Sequence, residues 1–233
     1  MRNRILKNIQ WEILICCLVL LAIGGLALFS ATHDTDYEEL KKQITWLVIS
    51  IPIVIIVISI DYNFIAKVSP VFYGIFILLL IAVLFTKPVN GARSWFEVNS
   101  MFKFQPAEFA KIFVIVFLSY VISKIQERNK EEINKPLKLL GSLAIVMIPV
   151  LFIVKQPDYG TAIAFMIATA AILFTAGIDK KYIIITSIIV IIALPLMYKF
   201  VLPEHAKTRI NVFLNPDLDP RGSGYNVIQS KLA

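Results

Sequence analysis

The stretch QPAEFAKIFVIVFL, residues 105–118, decides how this chain is read. From Ile112 to Leu118 every residue is apolar, and the run continues with few breaks to Ile125. No period-2 alternation and no polar stripe interrupts it, and a block of roughly 18 or more apolar residues reads as a membrane-spanning helix. Its opening turns are different. Pro106 suits the first turn of a helix, where a missing N–H costs nothing. Glu108 follows where the helix dipole favours negative charge, and Lys111 at i+3 shares its face. Two readings of this pair stand side by side. It sits at the membrane interface with Lys111 snorkelling outward, or it belongs to a polar face lining a water-filled cavity, because ionisable groups inside a membrane are costly and turn inward.

Six further blocks of the same kind flank it. With Ala107–Ile125 they are Trp11–Ser30, Ile44–Ile60, Val68–Phe85, Leu139–Val154, Gly160–Gly177 and Tyr182–Leu202. The chain of 233 residues is 58% hydrophobic, well above a soluble domain of that length. Arg2, Arg4 and Lys7 precede the first block as they would a signal peptide. That block is too long for a signal core, however, and no small-residue cleavage site follows it. The expected fold is therefore all-α: a polytopic transmembrane bundle of about seven spans over residues 1–202, then a polar extramembrane segment over 203–233.

The net charge of +7 does not point to nucleic acid. The basic residues lie between membrane blocks, where topology and anionic lipid account for them. Cys16 and Cys17 fall inside the first span and read as packing residues. The basic linkers RNRILK and SKIQERNKEEINKPLK and the acid-rich THDTDYEELKK place the N-terminus on the cytoplasmic side. Three stretches unlike linkers then share the outer face: NGARSWFEVNSMFKFQPAEFAK, KQPDYGTA and RINVFLNPDLDPRGSGYNVIQSKLA.

Arg93 offers a bidentate phosphate contact, and Trp95 is an interfacial aromatic. Gly91 and Ala92 permit tight re-entry of the chain. Asp158 either caps the sixth helix or lines the cavity. Gly160, Ala164 and Ala168 recur every fourth residue, a stripe that lets another helix approach. Arg209, Asp217, Asp219, Arg221 and Lys231 give the last stretch both signs of charge. No Gly-rich phosphate loop, zinc-ligand spacing or nucleophile elbow occurs. His33 and His205 are too far apart in sequence to propose a metal site.

Taken in order, NGARSWF…FQPAEFAKI, KQPDYGTA and RINVFLNPDLDPRGSGYNVIQSKLA resemble the SEDS family (shape, elongation, division and sporulation), its rod-shape members being nearest. The resemblance covers almost the whole chain. It implies a peptidoglycan glycosyltransferase of the bacterial cytoplasmic membrane that polymerises lipid II on the outer face. The implied partners are a class B penicillin-binding protein and other membrane proteins of the elongation complex. Arg93, Trp95, Gln105, Pro106, Glu108, Lys111, Gln156, Asp158 and Gly160 match positions around the family's substrate cavity. Arg209, Tyr225, Gln229 and Ser230 match its large outer loop. The family has about ten spans against about seven here, and its catalytic aspartate is expected beyond Ala233, so no catalytic residue is assigned within this chain. LPEHAK, residues 202–207, only imitates that motif: Lys207 stands where the aspartate is needed. A divalent cation, Mg or Mn, commonly assists such leaving groups, but no ligand set for it is legible. A lipid-linked precursor transporter and a non-catalytic scaffold are the competing readings.

Overall fold

The computed structural model describes residues 10–32, 37–88, 92–97, 103–200, 202, 204–220, 222 and 224–232, the side chains of 205, 226 and 232 excepted. Expectations resting on Arg2, Arg4, Lys7, His33, Gly91, Arg221 and the side chain of His205 fall outside the described residues.

Each of the seven apolar blocks is one helix. They are α1 (Trp11–Ala31), α2 (Glu38–Ser59), α3 (Tyr62–Ala82), α4 (Pro106–Ile125), α5 (Pro136–Lys155), α6 (Tyr159–Thr175) and α7 (Lys180–Phe200). Helices α1, α2, α5 and α7, and α3 with its extension to Phe85, make 5 helices long and apolar enough to cross a membrane. Helix α4 has 20 residues but opens with Glu108 and Lys111. Helix α6 is apolar and shorter, at 17 residues. Two short helices follow, α8 (Glu204–Leu214) and α9 (Tyr225–Leu232). The chain is a polytopic helical membrane protein. Its described strands are β1 (Phe96–Glu97) and β2 (Lys103–Phe104), an antiparallel pair in which Phe96 faces Phe104 and Glu97 faces Lys103.

Helix starts differ from block starts, and capping explains one clear case. Helix α3 begins at Tyr62, ahead of its apolar block at Val68, because the Asp61 side chain accepts the Asn63 N–H at 2.7 Å. An N-cap satisfies a donor that the helix itself cannot. Helix α2 likewise begins early, with Glu38 and Glu39 in its first turn, where the dipole favours them.

The chain divides into two compact units, Met1–Tyr120 with Ile148–Ala162, and Val121–Met147 with Ile163–Ala233. In the first, α4 turns Ala107, Ala110, Val114 and Leu118 inward, each at most 3% exposed. Their 3-4-4 spacing is one helical face. Leu80 and Val83 of the α3 end and Val150 and Ile153 of α5 are also buried there. Helices α1 and α2 contain no buried residue. Their outward faces carry Leu20, Ile23, Leu26, Ile55 and Ile56, surface that a lipid phase accepts without cost. In the second unit Ile133, Leu139, Val146, Phe165, Leu173, Ala206 and Val212 are buried, and α7 again contains none.

The packed face of α6 is not the small-residue stripe. Ala162, Phe165, Thr169 and Leu173 are its buried positions, and a Cβ added at Gly160 meets nothing within 4 Å. Close approach at Gly160, expected from the fourfold spacing, is absent among the described residues. A bulky Phe165 can fill a wider helix–helix gap, so this face has no need of glycine.

Candidate functional site

An aromatic ladder builds the site's wall within the first unit. Phe96 stacks on its cross-strand partner Phe104 at 6.4 Å between ring centres, and Phe104 meets Phe109 of α4 at 5.0 Å. Phe109 stacks on Phe76 of α3 at 6.1 Å, Phe76 on Phe113 at 5.3 Å, and Phe113 on Phe72 at 4.6 Å. Such pairs add about 0.5–1.5 kcal/mol each beyond the area they bury. They fasten the hairpin to α3 and α4. Lys103 and Glu97 close its outer side at 2.7 Å. Gln105 follows directly after β2 and is thereby fixed at the head of α4.

From there the Gln105 Nε2 donates to the Asp158 Oδ2 at 2.7 Å. Asp158 sits just before α6. Its Oδ1 accepts the Thr161 N–H at 3.2 Å, and its Oδ2 accepts the Thr161 hydroxyl at 2.9 Å. The capping role anticipated for Asp158 is thus its observed geometry, with a bond to Gln105 added. Thr161 was not singled out by sequence reasoning. Its position three residues after a capping aspartate was the available signal.

Gln156 ties in a third strand of chain. It is 0% exposed. Its Nε2 donates to the Leu80 carbonyl at the end of α3, 3.0 Å away. Its own carbonyl accepts the Arg93 N–H at 3.3 Å. The Gln156 Oε1 is buried and has no donor among the described residues. An unmatched buried acceptor costs about 1–3 kcal/mol. The Leu80 carbonyl carries no sequence signal, and Gln156 alone does not reveal its partner.

Arg93 and Lys111 are cations carried on the same segments. Arg93 is exposed, and its Nη1 lies 3.4 Å from the Leu84 carbonyl. Ser94 beside it is 2% exposed. The half-buried Trp95 contributes its carbonyl to the Thr86 hydroxyl at 3.3 Å. Lys111 donates to both Glu108 oxygens, at 3.0 and 3.1 Å. Lys111 is 25% exposed and Glu108 53%. The pair therefore enters α4 mutually neutralised at its partly solvated end. An exposed pair of this kind contributes about 0–1 kcal/mol. Pro106 is fully buried at the helix start.

Arg93, Trp95, Gln105, Glu108, Lys111, Gln156 and Asp158 all belong to the first unit. Arg209, Tyr225, Gln229 and Ser230 belong to the second, where each is exposed on α8 or α9. In that segment Asp219 closes a tight turn, accepting the Gly224 N–H through its carbonyl at 2.9 Å and the Gly222 N–H through its Oδ1 at 3.0 Å. A Cβ at Gly224 would lie 2.3 Å from the Pro216 carbonyl oxygen, so only glycine fits there.

A divalent cation needs several oxygen ligands. Among the described residues no three His, Cys, Asp or Glu side chains gather. Asp158 is occupied by N–H and O–H donors and Glu108 by an ammonium. These residues do not fit such a site.

Comparison with known proteins assigns the architecture. The model of the FtsW, RodA and SpoVE cell cycle proteins matches residues 9–233. The chain belongs to this family. Among its relatives is the peptidoglycan glycosyltransferase MrdB of Escherichia coli (strain K12), 29% identical over 222 residues, covering 94% of this chain and 58% of MrdB. The probable peptidoglycan glycosyltransferase FtsW of Geobacter sulfurreducens is 30% identical over 233 residues, covering 95% of this chain and 60% of that protein. The chain thus spans less than two thirds of the length of these family members. One solved relative is a chain of a peptidoglycan synthase complex that coordinates polymerization and crosslinking. It superposes with a TM-score of 0.80 at 24% identity, over 97% of this chain and 65% of that one. The rod-shape-determining protein RodA of Thermus thermophilus gives a TM-score of 0.69 at 22% identity, over 82% of this chain and 60% of RodA. Both establish the family's polytopic helical fold for this chain.

Proposed function

We propose that this chain is the substrate-handling part of a peptidoglycan glycosyltransferase that polymerises lipid II for cell elongation and shape. In this reading it is a multi-pass protein of the bacterial cytoplasmic membrane, its N-terminus is cytoplasmic, and the hairpin and the α5–α6 turn face outward. It works beside a class B penicillin-binding protein that crosslinks the new strands. The observation carrying the reading is the Gln105–Asp158–Thr161 cluster joined through Gln156 to the Arg93 segment, in a chain whose relatives are named for this activity. A lipid pyrophosphate requires cations held at a membrane boundary, and guanidinium and ammonium groups bind it with charge-assisted hydrogen bonds. Arg93 and Lys111 fill that role. Gln105 and Gln156 hold the segments that carry them, and Asp158 fixes the start of α6. No general base is assigned to the described residues.

The test is polymerisation of fluorescent lipid II by protein expressed from its complete reading frame with its partner synthase. Arg93→Ala and Asp158→Ala are each expected to abolish glycan strands while membrane insertion is unchanged. Full activity in both variants would overturn the assignment. Movement of lipid II across vesicles without polymerisation would instead establish a transporter.

A further inference from the structure

Beyond the buried Ala206, helix α8 carries three apolar side chains on the same face that stay exposed among the described residues. Ile210, Phe213 and Leu214 lie at i, i+3 and i+4, on one side of the helix, and are 39%, 72% and 75% exposed. On the opposite side Val212 is buried at 2%, so the helix is packed by one flank and open on the other. Residues 201–203 separate it from α7, and the Leu202 N–H turns back to the Met197 carbonyl at 2.9 Å. A second tie sets its level. The Tyr198 hydroxyl, in the last turn of α7, donates to the Asn211 Oδ1 at 2.8 Å. This bond holds α8 beside the last turn of a membrane span. Tyrosine at a span's end marks the headgroup level. Lys207 and Arg209 supply basic groups to the same helix, with Lys207 paired to Glu204 at 2.9 Å.

We infer that α8 is an interfacial helix whose Ile210, Phe213 and Leu214 side chains enter the boundary between lipid headgroups and acyl chains. Three features favour lipid over water or protein as the occupant. The helix follows α7 in the chain, and α7 contains no buried residue and is therefore lipid-facing. Its level is fixed by the Tyr198–Asn211 bond. Its apolar side chains combine with flanking basic groups in the manner of helices that lie in a membrane surface. Such an anchor would hold the polar 215–232 segment down against the bilayer, independently of which reaction the protein performs.

Depth-resolved fluorescence tests this directly. With Cys16→Ala and Cys17→Ala as background, Phe213→Cys, Leu214→Cys and Thr208→Cys are labelled with a polarity-sensitive dye. The full protein is then reconstituted in phosphatidylethanolamine–phosphatidylglycerol nanodiscs. Dyes at 213 and 214 are expected to emit to the blue of the dye at 208. They should lose most of their emission when the lipids carry a shallow nitroxide, and resist aqueous iodide. The dye at 208, an exposed position on the flank that Val212 shares, should show the reverse. Quenching by iodide at 213 and 214 would overturn the inference in favour of a water-facing helix. Resistance to both quenchers would overturn it in favour of a protein-covered face. Two labelled positions guard against one substitution disturbing the helix.

Discussion

Two clusters of amide and carboxylate side chains, one in each unit, are held together in different ways. In the first unit Gln105 and Thr161 hold Asp158, and Gln156 reaches Leu80. In the second, the segment between α4 and α5 docks on the turn before α7. The Gln126 Nε2 donates to the carbonyls of Lys130 and Ala176 at 2.9 and 2.7 Å. The Asn134 Oδ1 accepts the Asp179 N–H at 2.8 Å, and the Tyr182 hydroxyl donates to the Asn134 carbonyl at 2.9 Å. Lys135 and Lys138 both donate to Glu132. Here the acid is neutralised by two ammonium groups and each named side chain is engaged. In the first cluster the acid is held by neutral donors, a buried amide oxygen is left open, and Arg93 remains exposed. The saturated cluster is a fastening. The other holds its carboxylate with neutral donors and leaves Arg93 exposed.

Five substitutions at three positions would break or sharpen this contrast. The largest effect is expected from Gln156→Ala, which strands the Leu80 carbonyl and opens a cavity, at a cost of about 2–5 kcal/mol. Unfolding in mixed detergent–SDS micelles would measure it. Gln156→Met keeps most of the volume and removes the unmatched Oε1, so it should cost distinctly less. Equal losses would mean that the open oxygen has a partner after all. Asp158→Ala removes the α6 cap and should cost about 1–2 kcal/mol. Asp158→Asn, which still accepts the Thr161 N–H, should recover part of that in the same assay. In the second unit Gln126→Ala removes two bonds at a half-buried position, for about 1–2 kcal/mol. It is expected to leave polymerisation intact where Asp158→Ala does not. Lost activity in proportion to stability would erase the distinction between the two clusters.

The smallest effect is expected at Glu132 and is set by pH. Hydrogen bonds from Lys135 and Lys138 lower its carboxyl from 4.5 to about 2. As pH falls the unfolded chain binds the proton first, so folded stability drops. The contribution is whole above the unfolded value of 4.5 and disappears as pH passes the folded value of about 2. Glu132→Gln should therefore lower the melting temperature slightly at neutral pH and not at the acid end of that window. An unchanged difference between the two proteins across the window would remove the ion-pair explanation.

Legibility followed the range of the forces involved. Ala107–Ile125 was readable as a helix because lipid demands a continuous apolar run with its backbone bonded internally, and that demand is written in consecutive residues. The Glu108–Lys111 pair was readable because i and i+3 share a face. The linker after Ile125 reads as a basic connector, and its composition does not reveal what orders it. What orders it is a bond from Gln126 to the carbonyl of Ala176, and a main-chain acceptor fifty positions away leaves no trace in composition. The hairpin was missed for a related reason, since two-residue strands are too short to show alternation.

The sequence by itself determined that this protein lives in a membrane, where its apolar helices run, and through three motifs to which family it belongs. These follow from local solvation and from residue identity. Only the tertiary structure decided that Asp158 is a cap held by Gln105, that Gln156 carries an open buried oxygen, and that the packed face of α6 runs through Phe165. Each depends on which atoms from distant segments come within about 3 Å of one another. A linear pattern does not encode that distance.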